Sequence, residues 1–278
     1  STEGTERWEA ELAGAARAAF GLGRLIVRRT GAVRDRGGDP RGKRVEPPVP
    51  GEGIAAGEEP SGRALFRENG LRFFADFSSG QKSGFFLDQR DNRHRARALA
   101  SGRRVLNLFS YSGGFSVAAL AGGAVRAVDV DSSASALDLA AEHRRENGFR
   151  ADPSDFVRAD VFQDLRARVA AGETWDLVIC DPPAFAKRKA DVDAAARGYK
   201  DVNRLAMKLV SPGGILLTCS CSGLVDPTLF QQIVFAAEIE SGAAFSLFAR
   251  QGAGADHPVS LDCPEGEYLK GMWLARTG

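Results

Sequence analysis

Two short segments of the chain carry side chains able to form and break covalent bonds: Cys180-Asp181-Pro182-Pro183-Ala184-Phe185 and Thr218-Cys219-Ser220-Cys221-Ser222-Gly223. Each follows an apolar run and is therefore expected at a strand exit, and in open α/β sheets ligands bind beyond the carboxyl ends of the strands. A deprotonated thiol at such a turn is a nucleophile. A carboxyl group beside it can bond a ring nitrogen or exocyclic amine and stabilise the charge that develops there. Cys221, at the exit, takes the first role and Asp181 the second. Cys180 and Cys219 lie within the apolar runs and are expected as buried strand cysteines. Phe185 has two readings, stacking on a flat ligand or packing against the sheet.

A second constellation lies upstream. The run 105–109 leads through Phe109 into Ser110-Tyr111-Ser112-Gly113-Gly114 and then an Ala-rich stretch, a strand-to-helix turn whose glycines let backbone approach a ligand. Asp131 stands eighteen residues after Gly113, with Ser132 beside it, where an acid is placed to take a ribose hydroxyl pair. A third turn, Ala159-Asp160-Val161-Phe162, offers a carboxylate for an adenine amino group and an apolar neighbour for the ring. The loop lacks the G-x-G-x-x-G spacing of a dinucleotide site, and no Walker-type lysine follows, so nicotinamide and ATP readings fall away. S-adenosylmethionine remains. A methyl donor, a thiol and a carboxylate at one edge suit methylation of cytosine at carbon-5, a poor nucleophile until sulfur adds to carbon-6 and gives it enamine character. The base that would later remove the carbon-5 proton is not identified by the sequence.

These residues need a sheet to bring them together. Apolar runs at 105–109, 127–130, 156–158, 176–180, 215–220, 246–249 and 271–275 alternate with Ala-rich helical stretches, the pattern of a seven-stranded, mainly parallel sheet with crossover helices. Ahead of it the spacing predicts an amphipathic helix over 5–20, a short strand at 25–29, a Gly/Pro-rich loop over 37–57, and two strands, 64–68 and 71–77, joined by Asn69-Gly70, a strong hairpin signal. The expected division is a small α+β domain over 1–80, containing the hairpin, and a cofactor-binding domain over 81–278. Within 21–44, eight Arg or Lys stand against two acids, a solvated arm or a hold for a polyanion, although the whole chain carries a formal net charge of only +1. No segment reaches the ~20 apolar residues of a membrane span, and no leader is visible, so a soluble cytoplasmic protein is expected. The four cysteines lack zinc-site spacing, and no metal is expected. His94 and His143 lie in charged surroundings and are expected at the surface, and His257-Pro258 as a structural turn.

The combination of Ser83-Gly-Phe-Phe-Leu-Asp-Gln-Arg90, Asn107-Leu-Phe-Ser-Tyr-Ser-Gly-Gly-Phe115, Asp181-Pro-Pro-Ala-Phe185, Arg197-Gly-Tyr-Lys-Asp-Val-Asn203, Ser220-Cys-Ser-Gly223 and Asp256-His-Pro258 resembles the bacterial large-subunit ribosomal RNA cytosine-C5 methyltransferases over nearly the whole chain. The resemblance implies a Rossmann-like methyltransferase fold, S-adenosylmethionine as cofactor, large-subunit ribosomal RNA as partner and 5-methylcytosine as product. It implies Cys221 as nucleophile, and Asp131, Asp160 and Asp181 around the cofactor and target base. Gln89 and Arg90 would close the cofactor site. Two departures stand out: the family begins with an RNA-binding PUA-like domain, which this chain is expected to lack, and Ala184 stands where the wider RNA cytosine methyltransferases carry a second cysteine. Arg197, Tyr199 and Lys200 offer charge and a stacking face and are expected, with Phe185, to touch the substrate; Lys187, Arg188 and Lys189 share that reading or are ordinary surface charges. A homodimer is possible. The rival functions are a ribosomal RNA guanine-N7 methyltransferase, which would need no thiolate, an RNA-binding module of the same fold without activity, and a methyltransferase of DNA or a small molecule.

Overall fold

The computed structural model describes residues 63–76, 85–186, 188–263 and 266–278. The expected helix over 5–20, the strand at 25–29, the loop over 37–57, the basic segment over 21–44 and Lys187 lie outside the described residues.

A hairpin comes first, β1 (Arg63–Glu68) and β2 (Leu71–Asp76). Asn69 and Gly70 between them hold φ of 50° and 83°, the left-handed pair that matches the twist of two tightly joined strands. After a 3-10 turn at Leu87–Gln89 the chain alternates as α1 (Arg90–Leu99), β3 (Arg104–Leu108), α2 (Gly114–Ala121), β4 (Arg126–Asp131), α3 (Ala134–Glu146), β5 (Phe156–Arg158), α4 (Val161–Ala170), β6 (Trp175–Cys180), α5 (Val192–Leu209), β7 (Val210–Ser220), α6 (Pro227–Ser241), β8 (Phe245–Gln251) and β9 (Lys270–Arg276). The large sheet has the order β5-β4-β3-β6-β7-β9-β8. Its pairings are parallel from β5 through β7, and β9 runs antiparallel between β7 and β8. This is the Rossmann-like α/β fold with a seven-stranded, mainly parallel sheet. All seven expected strands form. The strand expected at 215–220 begins earlier, at Val210, and its pairing with β6 shifts register between Trp175 and Leu177.

Helices cover both faces, so the central strands are apolar on both sides. In β3, Leu106 and Leu108 face one core and Val105 the other. Helix α5 supplies the apolar stripe of the first core through Ala195, Tyr199, Val202, Ala206 and Leu209, a 3–4-residue repeat of fully buried side chains. Helix starts are capped by local chemistry: Ser133 Oγ accepts from Ala136 N, Asp160 Oδ1 from Gln163 N at 3.0 Å, and Asp226 Oδ1 from Leu229 N at 2.8 Å with Pro227 next. No described helix is long and apolar enough to cross a membrane.

Two sequence expectations change here. Hairpin residues Leu65–Ala75 belong to the same compact unit as Gln81–Gly278, not to a separate domain ending at residue 80. The reason is side-chain chemistry. Phe73 packs with Phe85 and Val117, the Asn147 side chain bonds both the N–H and the carbonyl of Arg72 at 2.8 and 2.7 Å, and Arg93 grips Glu68 with two bonds of 2.6 Å. Second, His143 is fully buried rather than at the surface. Its Nε2 accepts from Phe74 N at 2.9 Å, which leaves Nδ1–H to donate to the Ser112 carbonyl at 2.8 Å. His94 is exposed as expected.

Candidate active site

The carboxyl edge of the sheet gathers the candidate residues in strand order: Asp160 after β5, Asp131 at the end of β4, the 109–113 loop after β3, Asp181 after β6 and Cys221 after β7. The loop is wound through three left-handed residues, Phe109 at φ 56°, Tyr111 at φ 46° and Gly113 at φ 70°. Such conformations in non-glycine residues persist only where surroundings enforce them, and they concentrate at ligand sites. Asp131 is one enforcer. Its Oδ2 accepts from Tyr111 N at 2.8 Å and its Oδ1 from Ser133 N at 2.9 Å, leaving the remaining lone pairs of both oxygens for a hydroxyl pair. Gly113 is a second constraint, since a Cβ there would lie 2.7 Å from Ala140 Cβ and 3.3 Å from Asp129 Oδ2. His143 holds the Ser112 carbonyl from behind.

Below the loop sits a buried polar cluster. Arg144 Nη2 meets Asp129 Oδ2 at 2.6 Å with almost no exposure of either, and Asp129 Oδ1 accepts from Ser116 Oγ at 2.6 Å and Asn107 Nδ2 at 2.8 Å. This network anchors the ends of β3 and β4 to α2 and α3. Ser110 Oγ is buried with no hydrogen-bond partner in the loop itself. An orphaned hydroxyl, a glycine turn with no room for a side chain and a pre-set carboxylate fit a nucleoside-type cofactor. Phe109 meets Phe162 edge-on at 6.5 Å, and buried Val161 starts α4 beside it, giving the exposed Asp160 carboxylate an apolar border. Ser132 is exposed next to Asp131.

Cys221 is partly exposed, and its thiol points at the Pro182 carbonyl 3.9 Å away, so it faces the turn that carries Asp181. Cys180 and Cys219 are fully buried, as expected for strand cysteines. Burial first and the Asp181 charge second push both thiols above the ordinary cysteine value, which makes them poor nucleophiles. Of the three, Cys221 alone has solvent access.

The remaining candidates divide. Gln89 is buried, and its Oε1 accepts from Asn92 Nδ2 at 2.7 Å. Arg90 is held by Asp91 Oδ1 and Asp256 Oδ2, each at 2.9 Å. The Asp256-His257 segment is a turn, closed by His257 N to the Gly254 carbonyl, and it positions Arg90. Phe185 packs on Tyr199 at 4.6 Å and on Phe162 at 6.2 Å. Tyr199, expected to face substrate, is fully buried. Its hydroxyl pairs with Ser222 Oγ at 2.9 Å, so it braces the turn after Cys221 instead. Lys200, partly exposed, pairs with Glu240 at 2.6 Å across to α6. Arg197 is exposed on α5. Arg188 pairs with Asp191 at 2.9 Å.

Two groups beside Cys221 escaped the sequence reading. Lys270, nine-tenths buried at the start of β9, donates to the Ser222 carbonyl at 2.7 Å. Tyr268 donates to Asp88 Oδ2 at 2.6 Å, and burial followed by that carboxylate raises its phenol above the usual range. The available signal was a lysine directly ahead of an otherwise apolar strand, Gly271-Met272-Trp273-Leu274-Ala275.

A model of the S-adenosylmethionine-dependent methyltransferase family matches residues 49–250. Ribosomal RNA large subunit methyltransferase I of Yersinia pseudotuberculosis is 48% identical over 221 residues, 80% of this chain and 56% of that protein. The protein of the same name from Aeromonas salmonicida is 46% identical over 220 residues, 79% and 56% respectively. The chain therefore spans a little over half the length of these relatives. Among solved structures, a SAM-dependent methyltransferase from Streptococcus mutans superposes with a TM-score of 0.71 at 26% identity, over 80% of this chain and 58% of that one. A methyltransferase complexed with SAH superposes with a TM-score of 0.71 at 27% identity, over 79% and 57%.

Proposed function

The chain belongs to the S-adenosylmethionine-dependent methyltransferase family, and on that premise we propose that it forms 5-methylcytosine in large-subunit ribosomal RNA through a covalent Cys221 adduct. The observation that carries this reading is the approach of the Cys221 thiol to the Asp181-Pro182 turn, at the sheet edge shared with the 109–113 cradle. Ribosomal RNA as the polymer is supported by the names of the 46–48% identical relatives. The residues that would hold the cofactor are Ser110, Gly113, Asp131 and Asp160, with Phe109, Tyr111, Ser112, Ser132 and Val161 shaping the cradle. When bound, the cofactor supplies an electrophilic methyl group on a sulfonium centre.

The chain's own residues do the rest. Cys221 sulfur adds to carbon-6 of the cytosine ring, forming the S–C6 bond, and the displaced ring electrons move toward N3, where Asp181 supplies a proton or hydrogen bond. Carbon-5, now an enamine carbon, takes the methyl group. A base then removes the carbon-5 proton, the C5–C6 double bond re-forms, Cys221 leaves as thiolate and a proton taken up at N3 returns to Asp181. Tyr199 and Ser222 hold the Cys221 turn still during these steps. Arg197, exposed on α5, is assigned a phosphate contact on the RNA.

The test is methyl incorporation from labelled S-adenosylmethionine into large-subunit ribosomal RNA, with nucleosides identified after digestion. Wild type is expected to yield 5-methylcytosine, while Cys221→Ser and Cys221→Ala bind cofactor and transfer nothing. Full turnover by Cys221→Ala, or methylation at guanine N7, would overturn the reading.

A further inference from the structure

Strand β9 reverses direction between β7 and β8, so its first residue, not its last, arrives at the edge that carries the site. That residue is Lys270. It lies opposite Ser220 in the β7–β9 ladder, and its ammonium group reaches past the strand end to the carbonyl of Ser222 at 2.7 Å. The side chain thus runs alongside Cys221, which sits between those two serines. An ammonium group has three N–H donors. Only one is taken by this carbonyl, and among the described residues no carboxylate lies within ion-pair distance. A cation nine-tenths buried with one neutral partner is costly unless an anion faces it for part of the working cycle.

We propose that Lys270 is a positioning residue whose buried ammonium group is the counter-ion of the Cys221 thiolate. The proposal deepens the function assigned above and rests on Cys221 as nucleophile. The thiol proton leaves Sγ for bulk water, Lys270 stays protonated, and the paired charges hold sulfur ready to attack. Among the described residues, the charged and titratable groups that act on the pair include Cys219, Tyr199 and Tyr268 about Cys221, and Asp226 and Glu267 about Lys270, with Asp181 one residue before the Pro182 carbonyl that the thiol faces. Asp181 opposes thiolate formation in its ionised form only, not in the protonated form that serves N3, and the phenols of Tyr199 and Tyr268 stay neutral because burial raises both. Among the described residues Lys270 is a cation whose charge favours it, each member of the pair steadying the other. Burial lowers Lys270 below the ordinary lysine value while the Cys221 charge raises it, so the ion pair exists in a window bounded below by thiol ionisation and above by loss of the Lys270 proton.

Alkylation by iodoacetamide, without RNA or cofactor, reads this directly. The background is Cys263→Ser, because Cys263 is exposed whereas Cys180 and Cys219 are buried, and mass spectrometry follows the Cys221 peptide. The wild-type midpoint of the rate against pH is expected below the ordinary thiol value of about 8.5. Lys270→Met, and Lys270→Gln, which can keep the Ser222 bond, should raise it by about one unit, with the rate at pH 7 falling roughly tenfold and the alkaline plateau unchanged. Lys270→Arg should keep the wild-type midpoint. A wild-type midpoint at or above 8.5 overturns the proposal even if every variant fails to fold, as does a natively melting Lys270→Gln that superposes on wild type. A Cys221→Ala enzyme that still methylates would remove the nucleophile whatever the alkylation profile does, so the two failures are distinguishable.

Discussion

Gly113→Ala separates the two demands the cofactor cradle makes on the chain. Gly113 holds φ 70°, and a Cβ on it would stand 2.7 Å from Ala140 Cβ. The left-handed conformation alone costs an L-residue about 1–2 kcal/mol. Crowding a close-packed site by one methyl adds roughly 1–3 kcal/mol. Gly172 supplies the control, with φ 69° and nothing within 4 Å of its would-be Cβ. Gly172→Ala should therefore lose only the conformational part, about 1–2 kcal/mol, and Gly113→Ala the sum, about 2–5 kcal/mol. At about 2–4 °C per kcal/mol the Gly113 variant should melt roughly 4–20 °C lower than wild type. Calorimetry with S-adenosylmethionine should show binding intact in Gly172→Ala and lost or greatly weakened in Gly113→Ala, because the displaced loop carries Ser110 and the Tyr111 amide that engages Asp131. Equal melting temperatures for the two variants, with unchanged cofactor affinity in Gly113→Ala, would refute the close-approach argument.

Removing one partner of the buried Arg144–Asp129 pair leaves the other charge buried without compensation, so Arg144→Met should destabilise by about 3–5 kcal/mol in urea unfolding. The double variant Arg144→Met/Asp129→Asn should recover part of that loss. The Asp176 carboxyl, which burial alone would raise, is drawn below the usual range by the Arg104 amide, the Ser211 hydroxyl and the Arg104 charge. A depressed carboxylate contributes stability above its unfolded value that disappears as pH falls through the folded one, so Asp176→Asn should flatten the acid limb of the urea midpoint below about pH 4 and leave its shape at pH 7–9 unchanged. An acid limb identical to wild type would show the group is not linked to folding. Arg197→Glu should weaken retention on large-subunit ribosomal RNA in a salt-dependent way while calorimetric cofactor affinity stays as in wild type; unaltered retention would remove the contact assigned to Arg197.

Much of the sheet edge was legible because its determinants are local. Apolar runs of strand length alternate with helical stretches, and the turn chemistry of Asn69-Gly70 and Ser112-Gly113-Gly114 acts within a few residues, as do the caps at Ser133 and Asp160. Acids at strand exits then fall in line once the strands are parallel. The burial of His143 and Tyr199 and the hairpin's place in the larger unit were not legible for one shared reason: each is decided by partners 23 to 75 residues away, Ser222 for Tyr199, Phe74 for His143 and Asn147 for Arg72.

What the amino-acid order determined by itself is the α/β alternation, the glycine turn from β3 into α2 and the place of Cys221 just past the end of β7. Only the tertiary structure decided that β9 enters the sheet backwards and delivers Lys270 to the Ser222 carbonyl, and that Tyr199 faces inward. The physical reason is range. Backbone conformation is set by neighbouring residues, whereas burial of a charge or a phenol depends on which distant strand or helix packs against it, and a local pattern carries no record of that choice.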